Sequence, residues 1–148
     1  MGDAVKNIVF SEERVFPAED TSLSEALGFV EEELEKHDCP MKMIMQITLA
    51  LEEIFVNIAH YAYPESRGDI HLGIAFDEGA EEVIFRFTDQ GIPFNPLARP
   101  DPNVKASADE RKIGGLGIYM MKKTMDGVAY CYENNRNILT MRKKLCLS

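Results

Sequence analysis

The stretch Glu53-Ile54-Phe55-Val56-Asn57-Ile58-Ala59-His60-Tyr61-Ala62-Tyr63 decides how the chain is read. It continues an apolar run that starts near Met41, and the whole run predicts one long helix. Advancing each residue by about 100° around the axis puts Lys42, Gln46, Glu53, Asn57 and His60 within an arc of roughly 60°. Thr48 and Glu52 fall well outside that arc, and most other positions are Met, Ile, Leu, Val, Ala or Phe. A surface helix carries a broad polar face. This run predicts a polar stripe on an otherwise buried rod. Glu53 and Asn57 are one turn apart and lie side by side. A carboxylate and an amide on a mostly buried helix cost free energy unless they have partners. The pair therefore either presents a base and a metal ligand to one small volume or marks an edge where the helix meets solvent.

Working outward, residues 6–16 predict one or two short strands ending at Pro17-Ala18. Thr21 or Ser22 predicts a helix N-cap, with Glu25 completing a capping box after Ser22. Leu23, Ala26, Leu27, Val30 and Leu34 carry that helix to about Lys36, and Pro40 starts the long helix, expected to end around Tyr63-Pro64. Downstream, Ile70, Leu72 and Ile74 alternate with polar or small residues, and Val83, Phe85 and Phe87 alternate again after a turn at 77–80, which predicts an antiparallel hairpin. Leu97 to Lys112 shows no period, and so long a loop inside a compact domain is usually functional or disordered. A short helix follows Ile113-Gly114-Gly115-Leu116-Gly117 and ends at Asp126-Gly127; residues 128–132 and 138–145 predict two strands joined by a turn at 133–137. This order predicts an α+β fold, a two-layer sandwich with a mixed, mostly antiparallel sheet and helices on one face. Residues 1–148 form a single domain on this reading.

Composition narrows the function classes. A hydrophobic fraction of 45% and a charged fraction of 28% are those of a globular protein. A net charge of −9 argues against a nucleic-acid surface, which would be basic. No apolar run approaches the ~18 charge-free residues of a membrane span, and the N-terminus lacks the apolar core of a signal peptide. Cys39, Cys131 and Cys146 are far apart and form no CxxC pair, so they read as thiols of a reducing compartment. The expected location is the cytoplasm.

Two further motifs carry chemistry. Gly114-Gly115-x-Gly117 precedes a helix; glycines let a bound group approach the backbone, and a helix N-terminus attracts anions, phosphate above all. The same cluster serves equally as a hinge. Neither a P-loop nor a dinucleotide-binding glycine pattern is present. Asp89 ends an apolar strand and is followed by Gly91. A carboxylate there can accept a hydrogen bond from an exocyclic amine, with glycine leaving room for a flat ring, or the pair is a plain Asp-x-Gly turn.

Taken in order, Glu-x3-Asn on a helix, Asp-x-Gly-x-Pro-Phe after a strand, a long loop and Gly-Gly-Leu-Gly-Ile before a helix resemble the Bergerat-type (GHKL) ATP-binding fold, and within it the anti-sigma factor serine/threonine kinases. The resemblance spans roughly Phe10 to Leu145. It implies that Glu53 is the general base toward an acceptor hydroxyl, that Asn57 ligates the Mg²⁺ bridging the ATP phosphates, and that Asp89 binds the adenine amine with Gly91 under the ring. It implies an ATP lid at about 95–113, phosphate contacts from Gly114, Gly115, Leu116 and Gly117, and a water-mediated adenine contact from Thr140. Arg111 and Lys112 either offset phosphate charge or keep the lid soluble. Members usually carry His four residues after the Asn; here that position is Tyr61 and His60 comes one residue early.

The resemblance implies an ATP- and Mg²⁺-dependent kinase that acts by partner switching. It would hold a sigma factor and phosphorylate a small STAS-type anti-anti-sigma protein, as a homodimer to which the strand near Ile8–Phe10 contributes. No nucleic acid or membrane is expected as a direct partner. A nucleotide-dependent regulatory module without phosphoryl transfer is the alternative, and the intact Glu53 argues against it. A histidine-kinase catalytic domain would need an upstream helical hairpin bearing a phosphoacceptor His, which the residues before the long helix do not resemble.

Overall fold

The computed structural model describes residues 9–98 and 116–145. In chain order its elements are β1 (Glu12–Pro17), α1 (Leu23–Lys36), α2 (Met41–Tyr61), β2 (Asp69–Asp77), β3 (Glu82–Asp89), α3 (Leu116–Thr124), β4 (Gly127–Glu133) and β5 (Arg136–Lys144), with short 3-10 turns at Asp20–Ser22 and Pro96–Ala98. The strands form one five-stranded sheet in the order β1-β2-β3-β5-β4. Every pairing among the described residues is antiparallel, so the mixed component of the expected sheet is absent from them.

Strand parity builds the core. Ile70, Leu72 and Ile74 of β2, Val83, Phe85 and Phe87 of β3, and Leu139 and Met141 of β5 are all buried on the face that meets the helices. Against them pack Ala26, Phe29, Val30 and Leu34 of α1, Ile47, Leu51, Ile54 and Phe55 of α2, and Ile118 and Met121 of α3. The result is the expected two-layer α+β sandwich with its helices on one face. α2 touches both other helices and is the central rod. By length and composition alone it matches a membrane-crossing helix, with a mean hydropathy of 1.2 over its most apolar stretch. Here 44% of that stretch is buried.

Three local expectations are corrected. The rod is not otherwise buried: Met41, Met45 and Leu49, spaced one turn apart, are 65%, 58% and 66% exposed and form an open apolar stripe. The capping box does not form. Residues 20–22 already wind as a 3-10 turn, so Ser22 has helical dihedrals (φ −86°, ψ −11°) and makes no side-chain cap; a capping side chain works from an extended residue. The turn before β5 is tighter than expected. Asn134 and Asn135 both take positive φ (53° and 61°), so two residues close the β4–β5 hairpin and Arg136 is already in the strand. Within the strand predicted at 6–16, Val9 and Phe10 lie outside β1, and Phe10 packs across Gly73 and the Arg86 guanidinium.

Candidate functional site

The C-terminal half of α2 carries the site. Glu53 and Asn57 face the same way one turn apart, and the Asn57 amide nitrogen donates to both the Glu53 backbone carbonyl (2.7 Å) and its carboxylate Oε1 (2.9 Å). This fixes the amide: Nδ2 points back along the helix, and Oδ1 has no donor among the described residues although Asn57 is buried. The first turn of α3 closes over the pair. A Cβ added to Gly117 would lie 2.1 Å from the Glu53 carboxyl carbon, so glycine lets the carboxylate rest against the helix where any larger residue would push it aside. Leu116 opens the same helix. Gly114, Gly115, Arg111, Lys112 and the lid beyond residue 98 lie outside the described residues.

Further along α2, the end of the helix meets the end of β3. The Ile92 amide donates to the Ala62 carbonyl at 2.8 Å. A Cβ on Gly91 would fall 2.2 Å from that same carbonyl oxygen. The glycine is needed here for the close approach of two backbones, a contact that the sequence reading did not anticipate. Asp89, buried at the strand end, accepts from the Gly91 amide and from the Asn137 side-chain amide, both at 2.9 Å and both on Oδ1. Burial pushes the Asp89 carboxyl above its ordinary range, against the pull of those two donors.

Asn137 is the site residue that sequence reading missed. It stands directly opposite Asp89 in the β3–β5 register, on the helix-facing side. Thr140, expected to reach the base, is paired with Arg86 instead. Because side chains alternate along a strand, Thr140 projects from the opposite face to Asp89, Leu139 and Met141. The structure therefore does not bring Thr140 to the site. Asn137, Leu139 and Met141 form one period-2 set, and that parity was the available signal.

His60 also leaves the group. It is exposed, and its Nε2 lies 2.8 and 2.9 Å from the two carboxylate oxygens of Asp20. Tyr61 holds its ring centroid 5.6 Å from that of Phe94. Lys42 and Gln46, the remaining members of the stripe, are exposed near the start of α2.

The site is thus two clusters on one helix. Glu53, Asn57 and Gly117 touch at one level; Asp89, Gly91 and Asn137 join at the other, with Ile58 of α2 lining a cavity beside Asp89. From Glu53 to Ala62 the helix rises about 13 Å. The cavity that Ile58 and Asp89 share measures about 10 Å³ and is also lined by Phe94 and Pro96, room for one water at most; a second cavity lined by Asp89, with Thr88, Gln90 and Arg136, measures about 250 Å³. A cavity of about 710 Å³ lies beyond Gly91 along residues 62–69, and neither Glu53, Asn57 nor Asp89 lines it.

Comparison with known proteins agrees with this architecture. BtrW of Bordetella bronchiseptica, named a serine/threonine-protein kinase, is 25% identical over 82% of this chain and 84% of its own length. RsbW of Bacillus thuringiensis, named a serine-protein kinase, is 24% identical over 65% of this chain and 61% of its own. Among solved structures, the SiaB–SiaC complex of Pseudomonas aeruginosa contains a chain that superimposes with a TM-score of 0.61 at 16% identity, covering 97% of this chain and 94% of that one. The family model described as a histidine kinase-like ATPase domain matches residues 16–143, from the last turn of β1 to the end of β5 and across both clusters. With that model matching most of its length, the chain belongs to the histidine kinase-like ATPase domain family.

Proposed function

We propose that the protein is an ATP-dependent serine/threonine kinase of the anti-sigma type, with Glu53 as the general base. The observation that carries this reading is the pair of contacts that Glu53 makes with Asn57 and Gly117, a carboxylate held against the N-terminal turn of α3 beside an amide oxygen that accepts from no donor among the described residues. The relatives named as serine and serine/threonine kinases support it.

Phosphoryl transfer asks mainly for positioning and charge neutralisation. The acceptor hydroxyl attacks the γ-phosphorus, its proton passes to the Glu53 carboxylate, and the bond to the β-phosphate oxygen breaks to release ADP. Gly117 sets the distance between Glu53 and the α3 N-terminus, where backbone N–H groups point toward an anion. Asp89 accepts from the exocyclic amine of adenine through Oδ2, the oxygen left without a donor among the described residues. The donor chemistry fits Mg²⁺: this ion takes oxygen ligands, keeps several waters and is held by few protein groups plus phosphates. Asn57 Oδ1 would hold it, and no cluster of three or more His, Cys, Asp or Glu exists among the described residues to form a separate cage. When bound, Mg²⁺ supplies neutralisation of the phosphate charge.

The acceptor on this reading is a small STAS-type anti-anti-sigma protein, and the alternate partner is a sigma factor. The relatives named serine-protein kinases and the SiaB–SiaC complex support a protein partner for the kinase. A cytoplasmic homodimer completes the proposal. The test is incubation with γ-labelled ATP, Mg²⁺ and candidate acceptor proteins. Label on an acceptor serine or threonine that vanishes with Glu53→Ala while nucleotide still binds is the expected result. Absence of both label and an ATP-induced thermal shift would remove the reading, and partner control intact in Glu53→Ala would favour a non-catalytic nucleotide-dependent module.

A further inference from the structure

We infer that Asn137 is the specificity-determining positioning residue of the base site: its amide, set between Asp89 and the Ile92–Phe94 backbone, fixes Asp89 as an acceptor for a 6-amino purine and against a 6-oxo purine. The inference rests on the nucleotide reading above and concerns how this chain selects its base.

Asn137 is buried and makes four hydrogen bonds, as many as its amide can usefully form. Its Nδ2 donates to Asp89 Oδ1 (2.9 Å) and to the Ile92 carbonyl (2.8 Å). Its Oδ1 accepts from the Phe94 amide (3.0 Å) and from the Tyr130 hydroxyl. These partners leave one orientation of the amide. A flip would set two carbonyl-type oxygens against each other at Ile92 and an N–H against the Phe94 N–H. The nitrogen must therefore face Asp89.

Consequences follow for the carboxylate. With Gly91 and Asn137 both donating to Oδ1, the plane of the Asp89 carboxyl is set and Oδ2 is the oxygen left to meet a ligand. An acceptor there pairs with an exocyclic amine. An exocyclic carbonyl oxygen in the same place would face a carboxylate oxygen across a buried contact, which is rejection by an unpaired acceptor rather than by shape. The same amide ties Asp89 to residues 92 and 94, so the base-reading group and the segment that closes over it move as one. Tyr130 completes the bracket from β4. A hydroxyl in place of the amide would reach one of these partners and release the others.

The experiment is calorimetric titration of the full chain with ADP and IDP, for wild type, Asn137→Asp and Asn137→Thr, alongside their thermal midpoints. Wild type is expected to bind ADP at least about tenfold more tightly than IDP, the value of one charge-assisted hydrogen bond. Asn137→Asp keeps the shape but puts a second carboxylate against Asp89 and the Ile92 carbonyl. It is expected to lose about tenfold or more in ADP affinity with IDP changed by less than about threefold, so that the ratio collapses. Asn137→Thr, which keeps one donor, is expected to fall between and decides the matter if the Asp variant does not fold. Equal losses for ADP and IDP, or an unchanged ratio in the folded variant, overturn the inference and leave the nucleotide reading standing. Wild type binding neither ligand overturns both.

Discussion

The two clusters along α2 are built on opposite principles. At Glu53, one hydrogen bond joins the two polar side chains, an amide oxygen and a carboxylate oxygen have no donor among the described residues, and the carboxylate rests against Gly117. At Asp89, every polar atom of Asn137 is engaged, the turn is locked by backbone contacts to Ala62, and the cavity shared with Ile58 is small. A reading site gains selectivity from groups that cannot reorient, since an imperfect ligand then leaves them unpaired. A transfer site needs groups that exchange partners during the reaction, so unsatisfied atoms there are the working surface.

The contrast breaks most sharply at Glu53. Glu53→Gln keeps an oxygen for the Asn57 amide but removes the base, and acceptor labelling is expected to drop by about 10²–10⁴-fold with ADP affinity, read by calorimetry, nearly unchanged. Equal loss of both would erase the distinction between the clusters. Next in size come the two glycines. In Gly117→Ala the new methyl meets a flexible carboxylate, which can swing aside; labelling is expected to fall by about 10²-fold with little change in the urea midpoint. In Gly91→Ala the methyl meets a backbone carbonyl that cannot, and stability is expected to fall on the order of 1–3 kcal/mol by urea titration. Reversal of that pattern would show the Asp89 end to be the more compliant one.

Acid sharpens the comparison further. The Asp89 carboxyl is raised by burial, so the folded protein takes up its proton more readily than the unfolded chain. Its contribution to stability therefore grows as pH falls through the folded pKa and is lost as pH rises. Nucleotide binding runs the other way, because the amine needs the anion. Asp89→Asn is expected to be more stable than wild type at neutral pH, by a margin that shrinks on acidification, and to lose the pH dependence of ADP binding. A margin that widens in acid would contradict the assigned shift. The smallest effect belongs to His60, paired with Asp20 at 48% and 64% side-chain exposure. His60→Ala is expected to cost under about 1 kcal/mol and to leave labelling intact; a large loss of labelling would return His60 to the site.

What could be read from the sequence was what period and punctuation encode. The rod from Met41, the hairpin of β2 and β3, and the Glu53–Asn57 adjacency all follow from local geometry. The errors arose where a distant element decides. His60 sits on the stripe by angle, yet Asp20, forty residues earlier, claims it. Met41, Met45 and Leu49 looked like core because nothing local says which side of a helix lacks a neighbour. Thr140 and Asn137 differ in parity, and parity depends on where the hairpin turn falls; two asparagines at positive φ set β5 so that Asn137, not Thr140, lands beside Asp89. Gly91 was legible as a special position but its contact with Ala62 was not, since that backbone reaches it only through the tertiary fold.

The strand order has a consequence for how lineages of this domain can diverge. β5 lies between β3 and β4, so the polypeptide leaving β3 is stitched back to it by a complete ladder from Glu82–Lys144 to Asp89–Asn137. Both anchors of the intervening insert are thereby held by the sheet and by α3, independent of how much chain runs between them. For a flexible connection, doubling the length adds only about 0.6 kcal/mol of closure entropy, so insertions and deletions between these two anchors are expected to leave the scaffold's melting behaviour nearly unchanged.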